Sequence, residues 1–364
     1  MWAGFLAYLG VLAAPRLDPR FVWGAIVVLV AGFALAPVLL SHDVYSYVDY
    51  ARLGVQHGLD PYVHPPLAVP DDPAYAHVTW TEATSAYGPL FTFATYPLAW
   101  LPVGVAVAVL KATAALSVLG LALLVSRIAA WRDHDPTRAA AFVALNPLVL
   151  VHVVGGAHND GLMMLLAMLA VAAVLSAREL AGGAALVAAL ATKAAAAFLA
   201  PFALLGTRST GRKASYIDRN RPVARFLAGA IGAAVAIAAV AWLAFGWDWL
   251  NGFGLAGENQ DRTSYMSIPI TFARLTGLDP DTVRLAAAIL FAALIAYLLA
   301  WTWRGADWVR ASGWAAIGLL LATSWLLPWY LIWVLPLAAI TRDRPLQFLT
   351  LALTAYQLGA RIPL

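Results

Sequence analysis

The chain has 364 residues, 62% of them hydrophobic and only 12% charged, with a formal net charge of +4. A soluble domain carries about 25% charged residues, so half of the usual charged surface is missing and a soluble enzyme is excluded. With no cysteine, a disulfide framework and a thiolate metal site are excluded as well.

Apolar runs close to the ~20 residues an α-helix needs to cross a bilayer recur along the chain. The expected fold is all-α: a polytopic transmembrane helical bundle, with residues 1–364 as one transmembrane domain. Met1–Pro15 has an apolar stretch without a basic leader and reads as a short or interfacial first helix rather than a cleavable signal peptide. Phe21–Leu40 is the first convincing span, and Arg16 and Arg20 before it mark the cytoplasmic side. Residues 41–88 then form a long loop on the outside. It holds Asp43, Asp49, Asp60, Asp71, Asp72 and Glu82 among the rings of Tyr45, Tyr47, Tyr50, Tyr62, Tyr75 and Trp80, and closes at Tyr87-Gly88-Pro89. Acids and aromatic rings at a membrane surface are a composition suited to an uncharged polyol such as a sugar.

Leu90–Leu101, broken by Pro97, is too short to cross and reads as re-entrant or interfacial. Val103–Val125 runs inward to Arg127, Arg132 and Arg138. Ala139–Val154 returns outward and delivers Gly155-Gly156-Ala157-His158-Asn159-Asp160, and Gly161–Ser176 goes back in. Leu180–Leu205 is interrupted by Lys193 and Pro201 and precedes the basic loop Arg208–Arg225, so both of its ends belong in the cytoplasm. Two half-helices meeting near Lys193 satisfy that requirement, which membrane-depth backbone tolerates only where it is buried or faces a cavity. Phe226–Phe245 crosses outward, 246–281 is a second external loop, and Arg284–Trp303 returns. Trp314–Ile340 repeats the broken pattern around Pro328, and Phe348–Ala360 ends the chain. This topology puts sixteen of the 23 Lys and Arg residues in the cytoplasm and five outside, with Lys111 and Lys193 inside spans.

Asp43, at the membrane edge, is partly desolvated, which raises its pKa and suits it to general-base work on a sugar hydroxyl; the alternative is an N-cap for the next helix. His158, Asn159 and Asp160 make a polar cluster at the start of a span, where polar groups are expensive. Capping by Asp160 would explain that residue by itself. Asp43, His158 and Asp160 are weak candidates for a divalent cation, since no defined spacing joins them. Lys193 lies too deep to snorkel and would suit the phosphate of a lipid donor, or a structural pair with a carboxylate. Lys111 is near enough to its span end to snorkel. Trp325, Trp329, Tyr330 and Trp333 would anchor an interface or, beside a cavity, stack on a sugar or a polyprenyl chain. No phosphate-binding glycine loop, zinc motif or nucleic-acid footprint is present.

Asp43-Val44-Tyr45-Ser46-Tyr47, Gly58-Leu59-Asp60-Pro61-Tyr62, Tyr87-Gly88-Pro89-Leu90 and Gly156-Ala157-His158-Asn159-Asp160 come in this order. Thr192-Lys193, Ser267-Ile268-Pro269 and Pro328-Trp329-Tyr330 follow. The series resembles integral-membrane glycosyltransferases of the C fold (GT-C), and within them the actinobacterial polyprenol-phosphate-mannose-dependent α-1,6-mannosyltransferases. Asp60 stands where that group often has Asn, and the chain is short for the group.

The resemblance implies Asp43 as base, attack at the sugar C1 with inversion, and lipid phosphate as leaving group. It implies a polyprenyl-phosphate sugar donor, a glycan or glycolipid acceptor and an extracytoplasmic active site of a multi-pass cell-membrane protein. Loops 41–88 and 246–281 would roof that site. Tyr45, Tyr47, Asp60, Tyr62, Tyr87, His158, Asn159, Asp160, Lys193, Trp329 and Tyr330 would bind substrate. Broken helices with an intramembrane lysine fit a transporter or a lipid-linked sugar flippase equally well, and a non-catalytic scaffold for wall assembly is a third reading.

Overall fold

A computed structural model describes residues 1–210, 216–258 and 262–359; Arg212, Lys213 and Arg361, counted among the basic residues above, lie outside them. The described residues are helical, without a β-strand. The chain opens with α1 (Trp2–Ala13) and α2 (Pro19–Leu35). The second of these stops five residues short of the expected Leu40, because Pro37 cannot continue it. The loop 41–88 is built on α3 (Asp43–Gln56), and α4 (Pro89–Thr95) with a 3-10 turn over Tyr96–Trp100 makes the short segment that follows.

Next come α5 (Val103–Trp131), six residues longer than expected, and α6 (Pro136–Ala144). The outward run expected over Ala139–Val154 is not one helix. It breaks at Asn146-Pro147 and resumes as a π-helical turn over Val149–Val154, before α7 (Asp160–Leu175) descends.

The segment around Lys193 does divide: α8 (Glu179–Thr192) ends where Lys193 turns extended (φ −159°, ψ 128°). A 3-10 stretch Ala194–Leu199 then leads into α9 (Ala200–Thr210). Beyond it lie α10 (Tyr216–Phe245), α11 (Asn251–Glu258), α12 (Ile268–Thr276) and α13 (Pro280–Trp303). The second broken segment is α14 (Trp308–Ala322), a 3-10 stretch Pro328–Trp333 and α15 (Leu335–Ala339); α16 (Arg344–Gly359) closes the described chain.

Several acids away from loop 41–88 are helix caps. Asp18, Asp135 and Asp279 each precede a proline at the first helical position and accept from backbone N–H groups of the first turn; Asp307 caps α14 in the same way. Among the described residues three helices, α5, residues 220–245 of α10, and α13, are long and apolar enough to cross a membrane. The last two have only 17% and 6% of their most apolar windows buried inside the protein, as helices facing lipid would. The protein is a helical membrane protein.

The elements run between two unlike ends. At one end Arg132 pairs with Asp307 and donates to Ile340 O (2.8 Å), Arg138 donates to the carbonyls of Leu12 and Ala14, and Arg310 pairs with Asp343 (2.5 Å). At the other end lie loop 41–88 and the tips of three helical hairpins: 136–175, 179–210 and 308–340. Tight crossings hold these hairpins in place. At Gly183 and Gly229 the backbones of α8 and α10 touch so closely that a Cβ on either would collide with the backbone of the other helix. At Gly88 the end of the loop meets the backbone of Ala191, and its N–H donates to Thr192 O (3.2 Å). The loop is thereby pinned to the point where α8 breaks.

Candidate active site

Asp160 organises the three hairpin tips. It begins α7 and is fully buried. One carboxylate oxygen accepts from Lys193 Nζ (2.8 Å) at the break after α8, and the other from Trp333 Nε1 (2.7 Å) in the 3-10 stretch of the third hairpin. Both partners satisfy a carboxylate that burial would otherwise make very costly, and the helix N-terminus adds a favourable dipole. Lys193 also lies over the rings of Tyr330 (5.3 Å) and Trp333 (5.9 Å), which stack on each other at 4.1 Å.

The loop is laid over these tips. Asp43, the first residue of α3, receives a hydrogen bond on Oδ1 from Trp80 Nε1 (3.1 Å), and its Oδ2 is 3.7 Å from His158 Nδ1. The His158 ring stacks on Trp329 at 3.7 Å and 18°. Neither of its nitrogens makes a hydrogen bond, nor does either side-chain polar atom of the buried Asn159. Trp80 makes an edge contact with Trp325 (6.3 Å), and the Arg262 guanidinium of the second loop lies 5.4 Å over the Trp80 ring. Burial pushes the Asp43 carboxyl above the usual carboxylate range, opposed by the charge of Lys193 and the Trp80 hydrogen bond.

Between loop and tips lies a cavity of about 390 Å³, the size of small-molecule sites. Asp43 and Tyr50 stand on one wall, Lys193 and Arg262 supply two cations, and Trp80, Trp325, Trp329 and Tyr330 supply rings; Phe253, Leu255 and Gly257 of the second loop complete it. Of the residues expected at a site, Asp43, Tyr87, Lys193, Trp329 and Tyr330 line this cavity. His158 and Asp160 stand behind the wall, touching it through Asp43, Trp329, Lys193 and Trp333.

The remaining expected residues lie elsewhere. Tyr45 stacks on His77 away from the cavity (4.9 Å), and Tyr47 packs edge-on against Tyr87 (4.7 Å). Asp60 caps the backbone N–H of Tyr62 (2.8 Å), whose hydroxyl donates to Tyr87 O (2.9 Å) while its ring meets Phe245. Asn159 does not reach the wall. Asp43, His158 and Asp160, the weak metal candidates, are not gathered around one point: Asp160 is engaged by Lys193 and Trp333. Among the described residues no group of three His, Asp or Glu side chains is placed to hold a metal ion.

Arg262 and Trp80's link to Asp43 escaped the sequence reading. A loop tryptophan looks the same whether it anchors an interface or holds a carboxylate, and the two residues are 37 apart in sequence. Only the density of rings in loop 41–88 hinted at the arrangement.

A carboxylate, two cations and a ring of aromatics around a ligand-sized cavity at one end define a helical membrane protein with a candidate small-molecule site. More narrowly, the chain belongs to the alpha-(1->6)-mannopyranosyltransferase family, whose N-terminal-domain model matches residues 1–208. It is 32% identical over 342 residues to alpha-(1->6)-mannopyranosyltransferase A of Mycobacterium tuberculosis, covering 84% of this chain and 63% of the relative. It is 28% identical over 257 residues to alpha-(1->6)-mannopyranosyltransferase A of Corynebacterium glutamicum, covering 65% of this chain and 52% of that one. The chain thus spans less than two-thirds of the length of the curated relatives it matches.

Proposed function

We propose that the protein is a GT-C membrane glycosyltransferase that moves a mannosyl residue from a polyprenyl-phosphate donor to a hydroxyl of a glycan or glycolipid on the extracytoplasmic face of the cell membrane. The observation that carries this reading is Asp43: a carboxylate with raised proton affinity, on the wall of a ligand-sized cavity, facing two cations across aromatic rings. The names of the relatives supply the sugar.

In this mechanism Asp43 takes the proton of the acceptor hydroxyl as its oxygen attacks the sugar C1. The bond from C1 to the phosphate oxygen breaks with inversion, and the electron pair leaves on the lipid phosphate. Lys193 and Arg262 lie on the wall where that charge would grow, and a low-dielectric site strengthens their pull. Asp160 holds Lys193 at 2.8 Å and so fixes where this cation stands. Trp80 holds Asp43 by a hydrogen bond on one oxygen, and the His158 ring lies 3.7 Å from the other. The aromatic rings offer faces on which a sugar stacks, and the two loops that line the cavity act as its roof.

The test is transfer by purified protein in lipid nanodiscs, with radiolabelled mannosyl-phosphoprenol and an α-1,6-mannoside acceptor. A lengthened product with anomeric configuration opposite to the donor is expected. Donor movement across a vesicle bilayer without product would replace the enzyme by a flippase, and retained configuration would remove the single-displacement role of Asp43.

A further inference from the structure

A second cavity, of about 530 Å³, lies at the basic pole, the end opposite Asp43. The turn from α5 to α6, the end of α1 at Leu12 and the start of α16 enclose it. Its rim carries the guanidinium groups of Arg138, Arg342 and Arg344 against the carboxylates of Asp133 and Asp135. Asp135 is engaged as the cap of α6 and lies 3.6 Å from Arg138. Arg342 donates to Asp133 O (2.6 Å) and, through Nε, to His134 Nδ1 (3.3 Å), which fixes its side chain at the rim. Arg344 is exposed and makes no hydrogen bond, ion pair or ring contact among the described residues. A neighbouring recess adds Arg132 and Arg310, each paired with an aspartate.

Beneath the cations the walls are apolar. On α6 Arg138 is followed one turn on by Phe142, and on α16 Arg344 is followed two turns on by Leu351, so each pair shares a helix face. Leu12 of α1 completes the floor. Helices α1 and α16 meet at their far ends, where a Cβ on Gly359 would reach the Trp2 ring at 3.5 Å. Toward the basic pole Leu12 and Leu351 face the cavity instead. The outer surfaces of the same two helices are bare, with Leu6 65% and Phe348 69% exposed, as surfaces against hydrocarbon would be.

We propose that this cavity holds an anionic phospholipid of the leaflet on the basic side, with its phosphate on Arg342 and Arg344 and an acyl chain over Phe142, Leu12 and Leu351. Three features select that occupant. Positive charge exceeds negative at the rim, so an anionic headgroup gains more there than a zwitterionic one. The unengaged guanidinium of Arg344 offers a phosphate two parallel N–H donors. Cations outside and apolar side chains deeper repeat the order of head and chain in a lipid, whereas a soluble phosphate compound would leave the floor unfilled. The site stands at the far end of the molecule from the proposed sugar chemistry and does not depend on it.

The experiment places the whole protein in phosphatidylcholine nanodiscs with a small fraction of phosphatidylglycerol carrying a diazirine on its acyl chain, and maps labelled peptides by mass spectrometry. Labelling is expected on 138–142 and 344–351, competed by unlabelled phosphatidylglycerol and not by further phosphatidylcholine. R344A breaks no contact in the fold and should lower that labelling about fivefold, the share of one basic residue at a membrane surface; R342A/R344A should lower it further. R304A removes an exposed cation outside the cavity and should leave the labelling unchanged. An equal loss in R304A would reduce the effect to the general charge of the pole and overturn the site, as would full labelling of R344A. Equal labelling by a diazirine phosphatidylcholine would overturn the selection of an anionic head. Glycerophosphoglycerol, the headgroup without its chains, should not compete in excess. Loss of the label to it would give the cavity to a soluble phosphate compound and overturn the lipid.

Discussion

Trp80 and Asp43 show how a single hydrogen bond sets the chemistry proposed for this cavity. The indole N–H of Trp80 favours the ionised carboxylate, while burial favours the protonated one. A base must be ionised to act, so turnover should fall as pH drops through a value above the ordinary carboxylate range. W80F keeps an aromatic ring beside Trp325 and Arg262 but loses the donor. Its acid limb should therefore move to higher pH, with kcat at neutral pH reduced by about tenfold and donor KM little changed. An unshifted pH profile would remove Trp80 as a positioning residue.

Asp49 makes a second test at this scale, independent of the chemistry. It is buried at 1% exposure, and burial, aided by Asp72, pushes its pKa up from 3.8 to about 7. The folded chain therefore holds a proton that the unfolded chain releases. The stability this gives is complete below pH 3.8 and is lost as pH rises through about 7. D49N should melt with the parent at acidic pH and above it at pH 8, as thermal unfolding in detergent will show.

At the scale of elements, the cavity exists because three hairpin tips are tied at Asp160. D160A would leave Lys193, which is partly open to the cavity, and the Trp333 N–H without their shared acceptor, a loss below the ~3–5 kcal/mol of a fully buried pair. The thermal midpoint should drop sharply, and replacing Lys193 by Met in the same chain should restore part of it. Full stability of D160A would show that the tips are held by packing alone.

The break after α8 was legible in the sequence because a lysine inside an alanine-rich apolar run has no other comfortable place. Its partner was not legible, since Asp160 and Trp333 are 173 residues apart and Asp160 alone reads as a helix cap. The π-turn before Gly155 was also hidden: Asn146-Pro147 interrupts an apolar stretch whose composition is that of an ordinary span. The Asp60-Pro61-Tyr62 motif was visible, but in the fold it braces the loop, with Asp60 on the Tyr62 backbone and Tyr62 on Tyr87 and Thr92.

The molecule as a whole is polarised, with arginines tied to helix ends at one pole and the acidic, aromatic loop with its cavity at the other. Charge asymmetry of this kind orients a chain in a membrane, basic pole inward. The lack of cysteine makes the orientation directly measurable. A thiol at D71C should react in intact cells with a maleimide that cannot cross the membrane, and one at R304C only after permeabilisation; the reverse would put the cavity in the cytoplasm. The claim on which the rest depends is that Asp43 is the base, and D43N in the nanodisc transfer assay tests it most directly. Transfer should fall by about 10²–10⁴-fold, the usual share of a positioned base, with binding of the donor and the melting profile preserved. Turnover near that of the unaltered chain would contradict the account and leave Asp43 as the N-terminal residue of α3 and no more.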